Sequence, residues 1–146
     1  MVRRLSSRLS ILKGLGAVLT RIAMDPNIEN WSAYFSPDGT RIALVLGDIS
    51  RIKIFTLRGE LANEVRVKGL TGLTSSSWVP DGKALLVSGH IPWGYALLRV
   101  SLDGQAQSII ENHAPDVIGA VPSPDGRHLA LHAAGDNGNM WMMENF

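Results

Sequence analysis

The sequence predicts an all-β protein built from repeated units, and two recurring phrases support this prediction. A Pro-Asp-Gly turn occurs three times, in FSPDGTRIAL from residue 35, WVPDGKALLV from residue 78 and PSPDGRHLAL from residue 122. Its aspartates, Asp38, Asp81 and Asp125, are 43 and 44 residues apart. A second phrase lies between the turns, IFTLRGEL from residue 54 and RVSLDGQA from residue 99. Spacing this regular indicates a repeat protein.

Each Pro-Asp-Gly turn has a local physical cause. Proline fixes φ for the first corner of a type I turn, aspartate suits the second corner, and glycine takes the left-handed position that follows. We therefore predict that the three aspartates shape turns rather than share acid–base catalysis. The predicted structural turn residues are Pro37, Asp38, Gly39, Pro80, Asp81, Gly82, Pro124, Asp125 and Gly126.

The residues around the turns alternate or run apolar, which is typical of strands. Strands are predicted at about 19–24, 31–35, 41–47, 51–57, 62–67, 74–79, 83–89, 95–101, 106–110, 117–122, 127–133 and 138–145. Four strands in about 43 residues is the period of a β-propeller blade. We predict a basic N-terminal extension over 1–18 and a propeller segment over 19–146, with repeats at about 19–61, 62–104 and 105–146.

The turn phrase and the later (S/T)LxG phrase resemble the WD-repeat-like propeller blades of TolB-type proteins over about residues 20–146. The Gly-His and Trp-Asp dipeptides of the eukaryotic WD repeat are missing, which favours the TolB-like variant. The closing strands resemble the ends of bacterial proteins in which such a propeller follows a kinase or a winged-helix regulator. The resemblance implies a fold and a bacterial signalling context, but no particular activity.

Three blades are fewer than the four to eight of a typical ring, so the predicted ring is incomplete. Uncovered blade faces favour association. Two explanations stay open. The chain is the C-terminal piece of a longer propeller, or two chains join head to tail into a six-bladed ring in which each donates its first strand to the other.

Composition excludes several classes of protein. A net charge of +1 argues against a nucleic-acid surface over the whole chain, although residues 1–24 hold five basic residues and no acidic one. The chain has no cysteine, so disulfides and thiolate metal sites are excluded. The longest apolar-leaning stretch, LSILKGLGAVL, is too short to span a membrane and makes a poor signal peptide. The compartment stays open: extracytoplasmic by resemblance, or cytoplasmic if the chain is expressed as it stands.

One loop stands out as a candidate binding surface. HIPWGY, residues 90–95, presents His90, Trp93 and Tyr95 between the second and third strands of the middle blade. Exposed aromatic residues are favoured at interfaces. The alternative is that Trp93 folds over the blade edge and packs. Tryptophans elsewhere are predicted to pack between blades, namely Trp31, Trp78 and Trp141.

No catalytic, metal or cofactor site is predicted. His128 and His132 have the i, i+4 spacing of a helical zinc site, but on a strand they are about 13 Å apart. His90 and His113 lie in predicted loops without companion ligands, and neither a nucleophile elbow nor a G-x-G-x-x-G motif is present.

These observations predict a non-catalytic module that binds a protein or a small ligand through its loops, as the sensory or scaffold end of a larger bacterial signalling or regulatory protein. Two alternatives are kept. The chain is the propeller part of a prolyl-oligopeptidase-like peptidase, or it is a truncated product without independent function.

Overall fold

The structure, a computed structural model, describes residues 8–13, 16–112, 116–134 and 139–146. Its strands are β1 (Arg8–Lys13), β2 (Ala17–Ala23), β3 (Trp31–Phe35), β4 (Arg41–Leu46), β5 (Arg51–Thr56), β6 (Leu61–Arg66), β7 (Leu73–Trp78), β8 (Ala84–Ile91), β9 (Gly94–Ser101), β10 (Ala106–Asn112), β11 (Asp116–Pro122), β12 (His128–Ala134) and β13 (Asn139–Glu144). A 3₁₀ turn at Gly47–Ile49 separates β4 from β5. In these described ranges no helix is long and apolar enough to cross a membrane.

The described strands form four antiparallel sheets, each in sequence order. Blade 1 is β3–β6, blade 2 is β7–β10, blade 3 is the three-stranded sheet β11–β13, and the half-blade is the pair β1–β2. The predicted fold class, β-propeller blades in an all-β chain, is confirmed. Twelve strands lie within a few residues of their predicted positions, because each Pro-Asp-Gly turn fixes where one strand ends and the next begins.

The N-terminal region differs from the prediction. Residues 8–13, which fall within the basic extension predicted over 1–18, form β1, which pairs with β2. The pair repeats β5–β6: Ile11 is opposite Thr20 as Ile54 is opposite Asn63, and the register shifts directly after Ile11 and Ile54 in both. β1 and β2 are therefore the outer two strands of a preceding blade.

This pairing also changes how a ring could close. In the predicted two-chain ring, the first strand of each chain is donated to the other chain and completes its last blade. In the described residues β2 pairs with β1 instead, and β13 has β12 as its partner. A head-to-tail ring of two chains would therefore require β1 to leave the edge of β2.

The core lies between the sheets, because alternate residues of each strand face opposite neighbours. In β8, Leu85 and Val87 belong to the cluster between blades 1 and 2, whereas Ala84 and Leu86 belong to the cluster between blades 2 and 3. A third cluster joins the half-blade to blade 1 through Ile11, Ile22, Met24, Ile42, Leu44, Leu46 and Phe55. Each side chain of this size stabilises the fold by roughly 1.5–3 kcal/mol when fully buried.

Positions that are buried inside the row of blades are exposed at its two ends. Ile52 and Leu97 are 0% and 1% exposed, whereas Met140, at the same repeat position in blade 3, is 78% exposed. At the other end Phe35 is 58% exposed, while its counterpart Trp78 is 6% exposed. The expectation that Trp31 packs between blades is wrong, since it is 40% exposed. Trp31 begins the innermost strand of blade 1, whereas the half-blade supplies only outer strands.

We predict that truncating the side chain at one repeat position destabilises the protein strongly in blade 2 and hardly at all in blade 3. Leu97→Ala will lower the free energy of unfolding by about 2–5 kcal/mol because it opens a cavity between blades 2 and 3. Met140→Ala at the equivalent exposed position will change it by less than about 0.5 kcal/mol. Urea denaturation followed by tryptophan fluorescence measures both. A cost for Met140→Ala as large as that for Leu97→Ala would contradict the exposure of the blade 3 face.

Candidate functional site

The three Pro-Asp-Gly turns lie at the same end of their blades and share one geometry. Gly39, Gly82 and Gly126 have φ values of 69°, 67° and 72°. The N–H of each glycine donates to a carbonyl three residues earlier, at 2.8–2.9 Å. Each aspartate Oδ1 accepts an N–H two residues later, as from Thr40 to Asp38 at 3.0 Å and from Lys83 to Asp81 at 2.9 Å. The turns therefore form a rim of fixed shape, which we call the turn rim.

A serine hydroxyl makes two of these aspartates more acidic than usual. Ser36 donates to Asp38 and Ser123 donates to Asp125. These hydrogen bonds are the largest cause that lowers the pKa of each carboxyl to about 2, followed by backbone N–H groups. Blade 2 has Val79 at the corresponding position, so no hydroxyl reaches Asp81 from there.

The turn rim borders a concave surface that spans all three blades. This turn-rim groove has a volume of about 480 Å³ and is lined by Tyr34, Phe35, Pro37, Ser77, Trp78, Pro80, Val121, Pro122 and Pro124. The lining is mostly apolar, and four of its members are prolines whose backbone is already restricted. Phe35 and Val121, at the two ends of the groove, are 58% and 65% exposed.

Contacts between blades hold the centre of the groove in place. Trp78 Nε1 donates to the Tyr34 carbonyl at 3.1 Å. The Arg41 guanidinium lies 5.1 Å from the Trp78 ring centroid and donates to the Gly82 carbonyl at 2.9 Å. Ser77 Oγ donates to the carbonyl of Ala120 in blade 3 at 2.6 Å. The groove is therefore a preformed surface whose centre is fixed to blades on both sides.

The sequence-predicted loop at 90–95 lies at the opposite end of β8 from the turn rim. It is shorter than the sequence suggested, because His90 and Ile91 pair with Tyr95 and Gly94, which leaves Pro92 and Trp93 as a two-residue turn. The rings of His90 and Tyr95 are 4.5 Å apart between centroids and tilted by 46°. Trp93, in the two-residue turn, is 55% exposed. His90 and Tyr95 thus form a ring pair beside the turn that holds Trp93.

The remaining predicted positions do not gather around the groove. His128 lies between two carboxylates, with Nδ1 4.0 Å from Asp125 and Nε2 3.6 Å from Glu144. His132 lies on the same strand, and no group of three histidine, aspartate or glutamate side chains in the described residues is arranged to hold a metal ion. His113 and the Trp141 side chain lie outside the described part of the chain.

Comparisons with known proteins identify the architecture. No family model and no curated protein matches the sequence. A protein assigned as TolB from Agrobacterium tumefaciens superimposes with a TM-score of 0.66 at 20% identity, covering 87% of this chain and 45% of that one. The chain has a β-propeller fold.

A second propeller supports the same conclusion. A protein assigned as a 6-phosphogluconolactonase from Bacteroides fragilis matches with a TM-score of 0.58 at 17% identity, over 90% of this chain and 46% of the other. This chain therefore spans about half the length of the structures that it matches. At these identities the likeness extends to the fold and not to an activity.

Sequence reasoning found the turns but missed the groove between them. Its lining comes from three phrases about 43 residues apart, which become neighbours only when blades stack. A signal was present, since aromatic residues or proline precede each turn, as Phe35, Trp78 and Pro122.

We predict that removing the Ser36 hydroxyl will raise the pKa of the Asp38 carboxyl in the same turn. In Ser36→Ala the pKa of Asp38 will rise from about 2 toward its usual value of 3.8, since the largest cause of its lowering is gone. The pKa of Asp125 will stay at about 2, because Ser123 is intact. Carboxyl ¹³C NMR titration measures both midpoints in one sample.

The same substitution changes how stability depends on pH. A carboxyl whose folded pKa is lowered stabilises the fold above its unfolded pKa, and this contribution is lost as pH falls toward the folded pKa. The wild type will therefore lose stability more steeply than Ser36→Ala between pH 4 and 2. An unchanged Asp38 midpoint in Ser36→Ala would contradict the assignment.

Proposed function

We propose that this chain is a non-catalytic binding module that holds an extended, apolar segment of a partner protein in the turn-rim groove. The observation that carries the proposal is the continuity of the groove, which collects aromatic and proline side chains from three blades into one concave surface. Scattered exposed apolar residues are ordinary, but a contiguous apolar concavity favours binding.

The chemistry of the lining favours an extended peptide. Proline and aromatic side chains offer large contact areas and lose little conformational entropy when they become ordered. Grooves lined by aromatic residues accept extended proline-containing segments because such segments are already stiff. Trp78 in the centre is held by Tyr34 and Arg41, so little reorganisation is needed before binding.

We infer a setting at the sensory or scaffold end of a larger bacterial signalling or regulatory protein. The support is the resemblance of the repeated SPDG phrase and of the closing strands to propellers that follow kinase or winged-helix domains. Within such a protein, a groove of fixed shape would hold the partner segment while other domains respond.

Catalysis is the competing class of function. The lactonase name belongs to a structural neighbour with 17% identity, and a peptidase would need a hydrolase domain beside the propeller. We expect no turnover when the purified chain is assayed with 6-phosphogluconolactone and with proline-containing peptide substrates. Turnover that survives repeated purification would overturn the non-catalytic proposal.

The binding proposal is tested with a matched pair of exposed aromatic residues at opposite ends of the molecule. Peptides from a library of extended, proline- and aromatic-containing sequences are selected on the purified chain, and affinities are measured by calorimetry. Phe35→Ala, at the groove, is expected to weaken binding by about tenfold or more. Trp93→Ala, at the 90–95 turn, is expected to leave it unchanged.

The opposite pattern of affinities would place the peptide-binding site at the other end of the molecule. If Trp93→Ala abolishes binding and Phe35→Ala does not, the interface is the 90–95 turn, as the sequence suggested. If neither variant changes the affinity of the selected peptides, both surfaces are excluded as their site.

A further inference from the structure

The exposed face of blade 3 gathers two thioethers and an imidazole. His132 of β12 and Met140 of β13 are directly opposed partners, and Met142 is the next residue on the same face of β13. Met140 and Met142 are 78% and 73% exposed, and His132 is exposed as well. Met143, the residue after Met142, lies on the other face of β13 and packs into the cluster with blade 2.

Each of these three residues differs from its counterparts in the other two blades. His132 stands where the other blades have Val45 and Ser88, which are 3% and 1% exposed. Met140 has Ile52 and Leu97 as its counterparts in blades 1 and 2, and Met142 has Ile54 and Arg99. A further blade packed on this face would explain the two methionines. It would also bury the His132 imidazole at a position that is aliphatic or small in the other blades, and burial of such a polar group is costly without a partner.

We propose that Met140, Met142 and His132 form a binding site for Cu(I). Thioether sulfur is a soft ligand that selects Cu(I), and imidazole nitrogen also suits copper. The site goes beyond the proposed peptide-binding function and does not depend on it. Only binding is proposed: copper stays in the +1 state and no covalent bond of the protein changes.

The spacing permits one ion to contact all three side chains. Opposed residues such as His132 and Met140 have Cβ atoms about 5 Å apart, and residues i and i+2 of a strand are about 6.7 Å apart. Methionine has three rotatable bonds, so its sulfur can move several ångströms toward a shared centre.

The surrounding surface leaves room for the ion. Ala130 lies opposite Met142 and is the smallest residue between the two histidines of β12. Met140 lines two adjoining cavities of about 510 and 380 Å³, one shared with Met142 and the other with His132. His128 also lines the larger of these cavities, and its ring nitrogens lie 4.0 and 3.6 Å from the carboxylates of Asp125 and Glu144.

The test is an anaerobic titration of the 146-residue chain with Cu(I) in competition with a chromophoric Cu(I) chelator. One equivalent is expected to be withheld from the chelator. The double variant Met140→Leu with Met142→Leu will lose about 100-fold or more in affinity, and His132→Gln about tenfold or more. Leucine keeps the volume, and both methionines are exposed, so folding will not change.

Matched controls lie on the same strand and elsewhere in the chain. Met143→Leu, which faces the blade 2 cluster, and His90→Gln, in the 90–95 region, should leave the affinity unchanged. In the wild type, Cu(I) should shift the S-methyl NMR signals of Met140 and Met142 and not that of buried Met24.

Three results would overturn the proposal. The first is that the wild type withholds no Cu(I) from the chelator, and the second is that the double leucine variant binds Cu(I) as tightly as the wild type. The third is that Met143→Leu loses as much Cu(I) affinity as the double variant. Light scattering of the titrated sample adds a fourth: a stable oligomer whose methyl contacts show Met140 and Met142 buried against a second copy would assign this face to association.

Discussion

The packing of one blade against the next is the interaction on which the rest of this structure depends. A four-stranded sheet of this size has two apolar faces, and in blade 2 both are covered: Leu85 and Val87 face blade 1, and Leu86 faces blade 3. Because apolar area removed from water is the main favourable term in folding, each blade is stable mainly through its neighbours. The blades are therefore stabilised by the interfaces with their nearest neighbours, and a blade with both faces covered is more stable than one at the end of the row.

Blade stacking also creates the surfaces that could carry function. It aligns the Pro-Asp-Gly turns on one rim, brings Tyr34 and Trp78 into hydrogen-bond contact, and places Arg41 over the indole of the following blade. At the ends of the row the same positions face solvent. Those end positions need not keep apolar side chains, and His132 stands at one of them, where blade 1 has Val45.

Much of this fold follows from local chemistry that the sequence displays. Glycine at a left-handed φ after proline and aspartate dictates a turn, and the interval between turns dictates the blade. β1 was not predicted because no Pro-Asp-Gly turn adjoins it. The sequence did contain one signal for the β1–β2 turn: Gly16 lies 43 residues before Gly59, and both glycines have positive φ. The groove and the His132–Met140 pair could not be predicted in the same way, since the first requires stacking and the second requires the strand register.

Residue-resolved hydrogen exchange shows whether blade-to-blade packing sets the stability of each strand, because it measures the opening free energy of every strand in the intact chain. We expect the strongest protection in β8, whose two faces are both covered, and progressively weaker protection toward β1 and β13 at the ends of the row. Equal protection in β8 and β13, or strongest protection in β13, would contradict the claim that blade-to-blade packing sets the stability of this protein.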